Sequence, residues 1–227
     1  MRIAVIIPTL NEGLSIQKTL IELQAWRQRG HQIILVDGGS ADATVSHAEN
    51  LVDLVLLSPK GRALQMNMGA EHADADILLF LHADTILKEG ADHLIIESLS
   101  KNKPWGRFNV SFTSDKLIFK IIALFMNIRS CITSIATGDQ AIFVEKQLFD
   151  QVGRYPSQPL MEDIQLSIVL KRQCRANCLK ETVITSSRRW EQQGVYKTIL
   201  QMWGLRLAYF LGVSSERLKH WYRNNSA

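Results

Sequence analysis

The stretch LLFLHADTIL, residues 78–87, joins an apolar run to a polar end. The run stops at His82, and Asp84 follows two residues later. A short apolar run without alternation is typical of a strand that is covered on both faces, as in a parallel sheet. In an open parallel sheet, ligands bind beyond the carboxyl ends of the strands. The stretch therefore predicts a parallel strand whose tip carries a polar site.

Three similar apolar runs precede this one, at residues 2–9, 32–37 and 53–58, and helical patterns separate the four runs. Strands that alternate with helices predict an α/β fold with a mostly parallel sheet and helices on its faces. Ser40 is a suitable N-cap for a short helix that runs through Ala48. The later elements are predicted as helices at 61–73, 88–100, 115–134 and 161–172, strands at 105–112, 138–144 (after a turn) and 177–186, and a helical tail at 192–222.

The bulk composition is that of one soluble globular domain. The 227 residues are 46% hydrophobic and 21% charged, with a net charge of +4 and a pI near 9.0. This mild positive charge favours an anionic ligand, whereas no basic patch with interleaved aromatic residues indicates a nucleic-acid partner. Three cysteines without a Cys-x-x-Cys spacing, and a start that lacks a signal-peptide pattern, predict a cytoplasmic protein with reduced thiols.

Each of the four early strands is followed by residues that suit a nucleotide diphosphate. Asp37 could accept hydrogen bonds from a base edge or a ribose, and Gly39 would let a ligand approach the backbone. Lys60 and Arg62 suit phosphate oxygens. Asp84 is an oxygen ligand of the kind that binds Mg²⁺ or Mn²⁺ together with a substrate diphosphate. Taken singly, these residues could equally be turns, helix caps or solvated surface, so only their order along one rim favours a site.

Seven motifs occur in an order and spacing that resemble those of family 2 glycosyltransferases, especially the small stand-alone bacterial enzymes. They are VIIPTLNEG, ILVDGGSADAT, GRALQMNMGA, LFLHADTIL, TGDQAIFV, MEDIQLS and SRRW. The resemblance implies a GT-A fold within a single domain, residues 1–227. Its nucleotide-binding half would be residues 1–100, its acceptor and catalytic half 101–190, and its C-terminal helices 191–227.

The resemblance also implies a role for individual residues. The nucleoside pocket would be lined by Pro8, Asn11 and Glu12. Asp37 would hydrogen-bond the base, which is typically uracil in this family. Asn67, with Arg62 nearby, would help to position the nucleotide. The metal would contact Asp84, with His82 in the first position of the Asp-x-Asp-like element. The donor sugar and the acceptor would meet at Gly138, Asp139 and Gln140. In the pair Glu162 and Asp163, Asp163 would be the catalytic base. The diphosphate would be covered by Arg188, Arg189 and Trp190.

Two positions depart from the family pattern. His82 replaces the first carboxylate of the Asp-x-Asp-like element, which leaves Asp84 as its one acidic ligand for a divalent metal. Ser186 stands where processive members carry the glutamine of Gln-x-x-Arg-Trp. The second departure favours the transfer of one sugar per encounter over polymer synthesis.

The resulting hypothesis is an inverting, metal-assisted transfer from a nucleotide-diphosphate sugar to an acceptor hydroxyl, and the resemblance favours a UDP-linked donor. Two alternatives stay open: a sugar-phosphate nucleotidyltransferase and a non-catalytic nucleotide-sugar-binding protein. The acceptor could be lipid-linked, because residues 116–130 and 216–227 are apolar and basic enough to lie on the inner face of the cell membrane. Packing of those segments on the core is an equal alternative. The sequence does not indicate the oligomeric state.

Overall fold

The computed structural model of the chain describes residues 1–100 and 103–224, with side chains as far as Tyr222. Its described strands form one eight-stranded sheet. The strands are β1 (Ile3–Thr9), β2 (Gln32–Asp37), β3 (Leu54–Leu57), β4 (Ile77–Phe80), β5 (Thr85–Ile86), β6 (Trp105–Phe112), β7 (Phe143–Glu145) and β8 (Asn177–Thr185). They lie side by side in the order β3-β2-β1-β4-β7-β6-β8-β5.

Helices cover both faces of this sheet. They are α1 (Ile16–Glu22), α2 (Gln24–Gln28), α3 (Thr44–Ala48), α4 (Arg62–Glu71), α5 (Ala91–Leu99), α6 (Leu117–Thr133), α7 (Lys146–Gln151), α8 (Glu162–Gln173), α9 (Arg188–Gln193), α10 (Val195–Phe210) and α11 (Ser215–Asn224). A 3₁₀ turn at Gly138–Gln140 precedes β7. The predicted α/β architecture and its helical C-terminal segment are thus confirmed.

The first four strands are parallel, as their continuous apolar runs predict. β1 pairs with β2 on one side and with β4 on the other, and β2 pairs with β3. In this register Thr9 lies opposite Asp37, and Asp37 lies opposite Leu57. The carboxyl ends of β1 to β4 therefore share one edge of the sheet, which is the rim on which the candidate site is built.

The second half of the sheet is mixed. β7 runs antiparallel to both β4 and β6, whereas β8 is parallel to β6. No sequence pattern predicted β5, which has only two residues and pairs antiparallel with the end of β8 through Thr85 and Thr185. Since only the four residues Leu81 to Asp84 separate β4 from β5, the chain passes from the middle of the strand order to its last strand within them. This crossing places Asp84 over the rim.

Close packing of α4 on β1 fixes the helix that follows the third strand. A Cβ added at Gly69 would lie 2.4 Å from the Cγ2 atom of Ile6, so only glycine allows this approach. The apolar side chains of the sheet form one core cluster on each face, the first including Ile7 and Leu79 and the second including Ile6 and Phe80.

Some predicted boundaries are wrong. The predicted N-cap, Ser40, does not start a helix: α3 begins at Thr44, and the Ser40 hydroxyl donates to the Asp37 carboxylate instead. The turn that the Asp37 side chain forms with the residues after it thus outweighs the preference of serine for a helix N-cap. The predicted strands at 53–58 and 76–82 are shorter, because their last residues turn into the rim loops.

The C-terminal helices pack against the start of α8. Leu205 of α10 and Leu218 of α11 form a small apolar cluster with Met161 and Ile164. Of the predicted lipid-facing stretch 216–227, residues 225–227 lie outside the described part of the chain. No helix within the described ranges is both long and apolar enough to cross a bilayer.

Candidate active site

The loops after β1 and β2 are tied together at the rim. The Asn11 N–H donates to the Ser40 hydroxyl oxygen at 2.8 Å, and the Asn11 Oδ1 atom accepts from the Ala41 N–H at 2.9 Å. The Glu12 N–H donates to the Thr44 hydroxyl oxygen at 2.8 Å. Asn11 therefore holds two loops in place and does not cap a helix.

Asp37 is buried at the end of β2, with only 1% of its surface exposed. Its Oδ2 atom accepts from the backbone N–H groups of Gly39 and Ser40 at 2.9 and 2.8 Å. Its Oδ1 atom accepts from the hydroxyls of Thr9 and Ser40. The loop thus occupies the acceptor positions of this carboxylate. For Asp37 to bind a base, as the sequence predicts, one of these hydrogen bonds would have to be exchanged.

A pocket between the starts of α4 and α8 brings together residues that are far apart in the sequence. Its polar lining comes from Arg62 at the start of α4, His82 after β4, Gly138, and the Glu162–Asp163 pair at the start of α8. Tyr155 completes the pocket, and no sequence motif pointed to this residue. Burial raises the pKa of Tyr155, and the charges of Asp163 and Glu162 raise it further.

The two acids at the start of α8 have different environments. Glu162 is 3% exposed, and its Oε1 atom lies 3.2 Å from Arg62 Nη1. Burial raises the pKa of Glu162, and the Arg62 charge opposes that rise while Asp163 adds to it. Burial by itself would lower the pKa of Arg62, but the carboxylates of Glu162 and Asp163 outweigh it and raise the pKa. Glu162 therefore acts as the fixed counter-ion of Arg62.

Asp163 is only partly buried and faces the pocket. Its Oδ2 atom accepts from the Gly138 N–H at 2.9 Å, and its Oδ1 atom accepts from the Ile164 N–H at 2.7 Å. Met161, just before the helix, has a left-handed backbone (φ 66°) that turns the chain into α8. Two backbone donors thus fix the orientation of this carboxylate and leave it further acceptor capacity.

His82 contacts the 3₁₀ turn. Its Nδ1 atom lies 3.2 Å from the Asp139 Oδ1 atom, and its Nε2 atom is buried without a hydrogen-bond partner in the described structure. Burial opposes ionisation of Asp139, but the hydrogen bond from His82 and the charges of His82, Arg62 and Arg189 outweigh it, so the pKa of Asp139 is lowered. His82 thus links the tip of β4 to the turn that holds Asp163.

Asp84 is the residue of this rim that best suits a divalent metal. In the described ranges its carboxylate has no hydrogen bond or ion pair, so its oxygens are available. No group of three or more His, Cys, Asp or Glu side chains that could hold a metal forms within those ranges. The donor set therefore fits an ion that takes most of its ligands from a diphosphate and water, as Mg²⁺ commonly does.

Two predicted site residues, Asn67 and Gln140, form hydrogen bonds within the protein that support the pocket walls. The Asn67 side chain donates to the Tyr155 carbonyl at 2.8 Å and accepts from the Tyr155 N–H at 3.0 Å. Gln140 is fully buried and donates to the Ser130 hydroxyl at 2.9 Å. Both residues hold segments that line the pocket and do not point free polar groups into it.

The predicted diphosphate residues lie on α9, across the rim from the nucleoside loops. Arg188 Nη2 is 3.9 Å from Glu12 Oε2, and Arg188 and Arg189 are both exposed. The Arg189 guanidinium lies 4.6 Å from the ring centre of Tyr222, and Trp190 packs edge-on against Phe112. Because Arg188 reaches the β1 loop, α9 spans the edge of the sheet where a diphosphate would lie.

Comparison with known proteins agrees with this architecture. A family model described as "Glycosyl transferase family 2" matches residues 4–145. A poly-beta-1,6-N-acetyl-D-glucosamine synthase of Staphylococcus epidermidis is 25% identical over 231 residues, which cover 88% of this chain and 56% of the relative. The chain thus spans little more than half the length of that synthase.

Two solved structures share the fold at 16% sequence identity. S. aureus TarS 1-349 in complex with UDP gives a TM-score of 0.65 and covers 82% of this chain and 60% of that one. Mannosyltransferase PcManGT from Pyrobaculum calidifontis, in complex with GDP-Man and Mn²⁺, also gives a TM-score of 0.65. The match covers 81% of this chain and 56% of the mannosyltransferase chain. The fold is therefore GT-A, and the chain belongs to glycosyl transferase family 2.

Proposed function

We propose that this chain transfers one sugar, with inversion, from a UDP-linked donor to an acceptor hydroxyl, and that Asp163 is the catalytic base. The observation that carries the proposal is the position of the Asp163 carboxylate. It is held by the Gly138 N–H at the mouth of a pocket that also contains Arg62 and His82. This arrangement provides a proton acceptor beside cationic and imidazole groups, near the carboxyl ends of the parallel strands, where open α/β sheets bind ligands.

The division of roles within the acidic pair follows from burial. Glu162 is buried and forms an ion pair with Arg62. If Glu162 accepted a proton from the acceptor, the Arg62 guanidinium would lose its counter-ion, which is costly in a buried site. Asp163 keeps an open oxygen face and fixed orientation, as a general base requires. In the proposed step, Asp163 accepts the hydroxyl proton while the acceptor oxygen bonds to the anomeric carbon and the carbon–diphosphate bond breaks. General-base help of this kind is worth roughly 10²–10⁴ in rate.

Cationic groups on the rim would stabilise the negative charge that develops on the departing diphosphate. We propose that Arg188 and Arg189 contact the diphosphate from α9, because both are exposed there and α9 reaches the β1 loop. A divalent ion held by Asp84 would supply further positive charge to the same oxygens. His82 contributes through its contact with Asp139, which supports the 3₁₀ turn.

The donor class and the number of transfers are inferred from the similar proteins and from the residue at position 186. UDP is favoured by the UDP complex of TarS, whereas the GDP-Man complex of PcManGT makes GDP-linked sugars the competing class. Transfer of a single sugar is favoured by Ser186, although the related poly-N-acetylglucosamine synthase makes a polymer by its name. We keep the single transfer as the proposal because the glutamine of the processive motif is absent.

The experiment is a thermal-shift screen over UDP- and GDP-sugars, with and without Mn²⁺, followed by product analysis. A ligand that binds only the folded chain at 100 times its Kd stabilises it by about 2.7 kcal/mol. The proposal expects a UDP-sugar to give the largest shift and to release UDP, with an inverted anomeric centre by NMR. Release of pyrophosphate from a nucleoside triphosphate would indicate a nucleotidyltransferase instead. Donor binding without any turnover over broad acceptor panels would indicate a nucleotide-sugar-binding protein.

A further inference from the structure

A second cavity lies beside the start of α8. Its volume is about 390 Å³, and it is lined by the end of α6, the start of α8 and the second half of α10. Ile164, the residue after the proposed base, forms part of its wall. The other residues that matter here are Arg129 from α6 and Trp203, Arg206, Leu207 and Phe210 from α10. No sequence motif predicted this cavity.

Two arginines in this cavity lack an anionic partner. Arg129 donates from Nη1 to the Ile135 carbonyl at 3.0 Å, but its Nη2 atom is buried without a hydrogen-bond partner in the described structure. The Nη2 atom of Arg206 is buried and unpartnered in the same way. Burial, and then the neighbouring charge of Arg206, lowers the pKa of Arg129 to about 10. Burial also lowers the pKa of Arg206.

Arg129 and Arg206 are half-buried, and each keeps one buried guanidinium nitrogen without an acceptor. Like charges and unmet donors in such a place are costly, and a bound anion would remove that cost. Asp163 is near enough to influence both guanidinium groups, yet it forms no ion pair with either. Guanidinium groups match phosphate oxygens in charge and in hydrogen-bond geometry. The cavity therefore has the donors of a phosphate site beside the proposed catalytic base.

The surface around the cavity is apolar. On α10, Tyr196, Trp203, Leu207 and Phe210 repeat along one helix face and are each at least 60% exposed. Three of them, Trp203, Leu207 and Phe210, also line the cavity, so the cavity opens on this face.

Helix α6 has an exposed apolar face of the same kind. Leu117, Leu124, Phe125 and Ile132 lie on it, and it ends beside Arg129. Apolar faces of this extent on a soluble chain mark an interaction surface, and basic groups beside them favour an anionic lipid surface.

We propose that the Arg129–Arg206 cavity binds the phosphate of a lipid monophosphate, with the lipid chain lying along the apolar faces of α6 and α10. This inference rests on the proposed function, because it names the class of acceptor: a hydroxylated lipid monophosphate, whose phosphate the two arginines hold and whose hydroxyl would face Asp163. Charge complementarity selects this occupant: two unpaired guanidinium groups match one phosphate monoester, and the apolar faces match its chain.

The test is flotation of the purified chain with two kinds of phosphatidylcholine vesicle. One kind contains phosphatidic acid, and the other contains oleate in the amount that gives the same surface charge. We expect binding to the phosphatidic acid vesicles and much less to the oleate vesicles. R206Q and R129Q should each weaken that binding by about tenfold or more, since each removes a charge-assisted hydrogen bond. The matched control is R172Q, which removes an exposed arginine of α8 away from the cavity.

Apolar contacts have their own controls. W203S should weaken vesicle binding, whereas L57S, which changes an equally exposed residue at the far edge of the sheet, should not. R206Q should also raise the Tm of the free protein by relieving the repulsion with Arg129, so a lowered Tm would show Arg206 to be structural. A Tm rise with inorganic phosphate alone, without vesicle binding, would overturn the lipid source and leave a site for a soluble phosphate.

Donor binding separates this inference from the proposed function. R129Q and R206Q should keep the thermal shift that the donor sugar nucleotide produces. If the donor shift and turnover are intact but neither arginine affects binding to phosphatidic acid vesicles, the lipid phosphate inference fails alone. If no sugar nucleotide stabilises the wild-type chain, the proposed function fails first.

Discussion

Replacing Gly138 by alanine tests whether the 3₁₀ turn holds the proposed base in place. A Cβ at this position would lie 2.4 Å from His82 Nε2 and 2.7 Å from Cε1, whereas ordinary contacts begin near 3.4 Å. The ring or the turn must therefore move by about 1 Å. Movement of the turn shifts the N–H that donates to Asp163, and movement of the ring breaks its contact with Asp139.

Overpacking of this size costs about 1–3 kcal/mol. For a chain of this length each kcal/mol lowers Tm by about 2–4 °C, so we expect a loss of about 2–12 °C. A misplacement of about 1 Å at a reacting group can cost about 10²-fold in rate, so turnover should fall by that order. The assays are differential scanning fluorimetry and release of nucleoside diphosphate from the donor identified by the screen.

Gly204→Ala is the matched control. No heavy atom lies within 4 Å of its added Cβ, and removing a helical glycine should stabilise the chain by about 0.5–1 kcal/mol with turnover unchanged. Adding His82→Ala to Gly138→Ala removes the clashing ring, so the double variant should recover Tm relative to the sum of the single changes. Wild-type turnover and Tm in Gly138→Ala itself would refute the idea that this turn positions Asp163.

Three further predictions concern other parts of the chain. Gly69→Ala should lower stability by about 1–3 kcal/mol, measured by urea unfolding, because its Cβ meets Ile6 within the core; an unchanged midpoint would contradict the tight packing of α4. Asp84→Asn should abolish the extra donor-induced Tm shift that Mn²⁺ provides, while the metal-free shift persists; an unchanged Mn²⁺ effect would remove Asp84 from the metal site. Burial lowers the pKa of His31 below 6.5 despite its contact with Asp92, so stability should be full above pH 6.5 and decline as the pH falls towards the folded-state pKa; an NMR titration with a His31 pKa above 6.5 would contradict this.

The sheet was predictable because its strands are continuous apolar runs. Residues 2–9, 32–37 and 76–82 have no competing helical period, and all three became central parallel strands. The two-residue strand β5 was not predictable, since it forms only because β8 offers it a partner. Local patterns determine which segments become strands, but pairing that depends on distant residues does not appear in them.

The candidate site was predictable only in part. The motifs identified Asp163 and Arg62, and the structure brings them into one pocket. The motifs did not reveal that Asp37 is occupied by its own loop, because the sequence does not show where backbone N–H groups point. Arg129 and Arg206 were also missed. Each stands singly in a helical segment, and only tertiary packing makes them neighbours.

The most direct test of the central claim compares Asp163→Asn with Glu162→Gln in donor binding and turnover. The account predicts that Asp163→Asn keeps the donor Kd, by calorimetry, within about twofold and lowers kcat by roughly 10²–10⁴. Glu162→Gln should affect stability and donor affinity more than kcat, because it removes the counter-ion of Arg62. If Asp163→Asn turns over like the wild type while Glu162→Gln does not, the proton acceptor is Glu162 and the proposed mechanism is wrong.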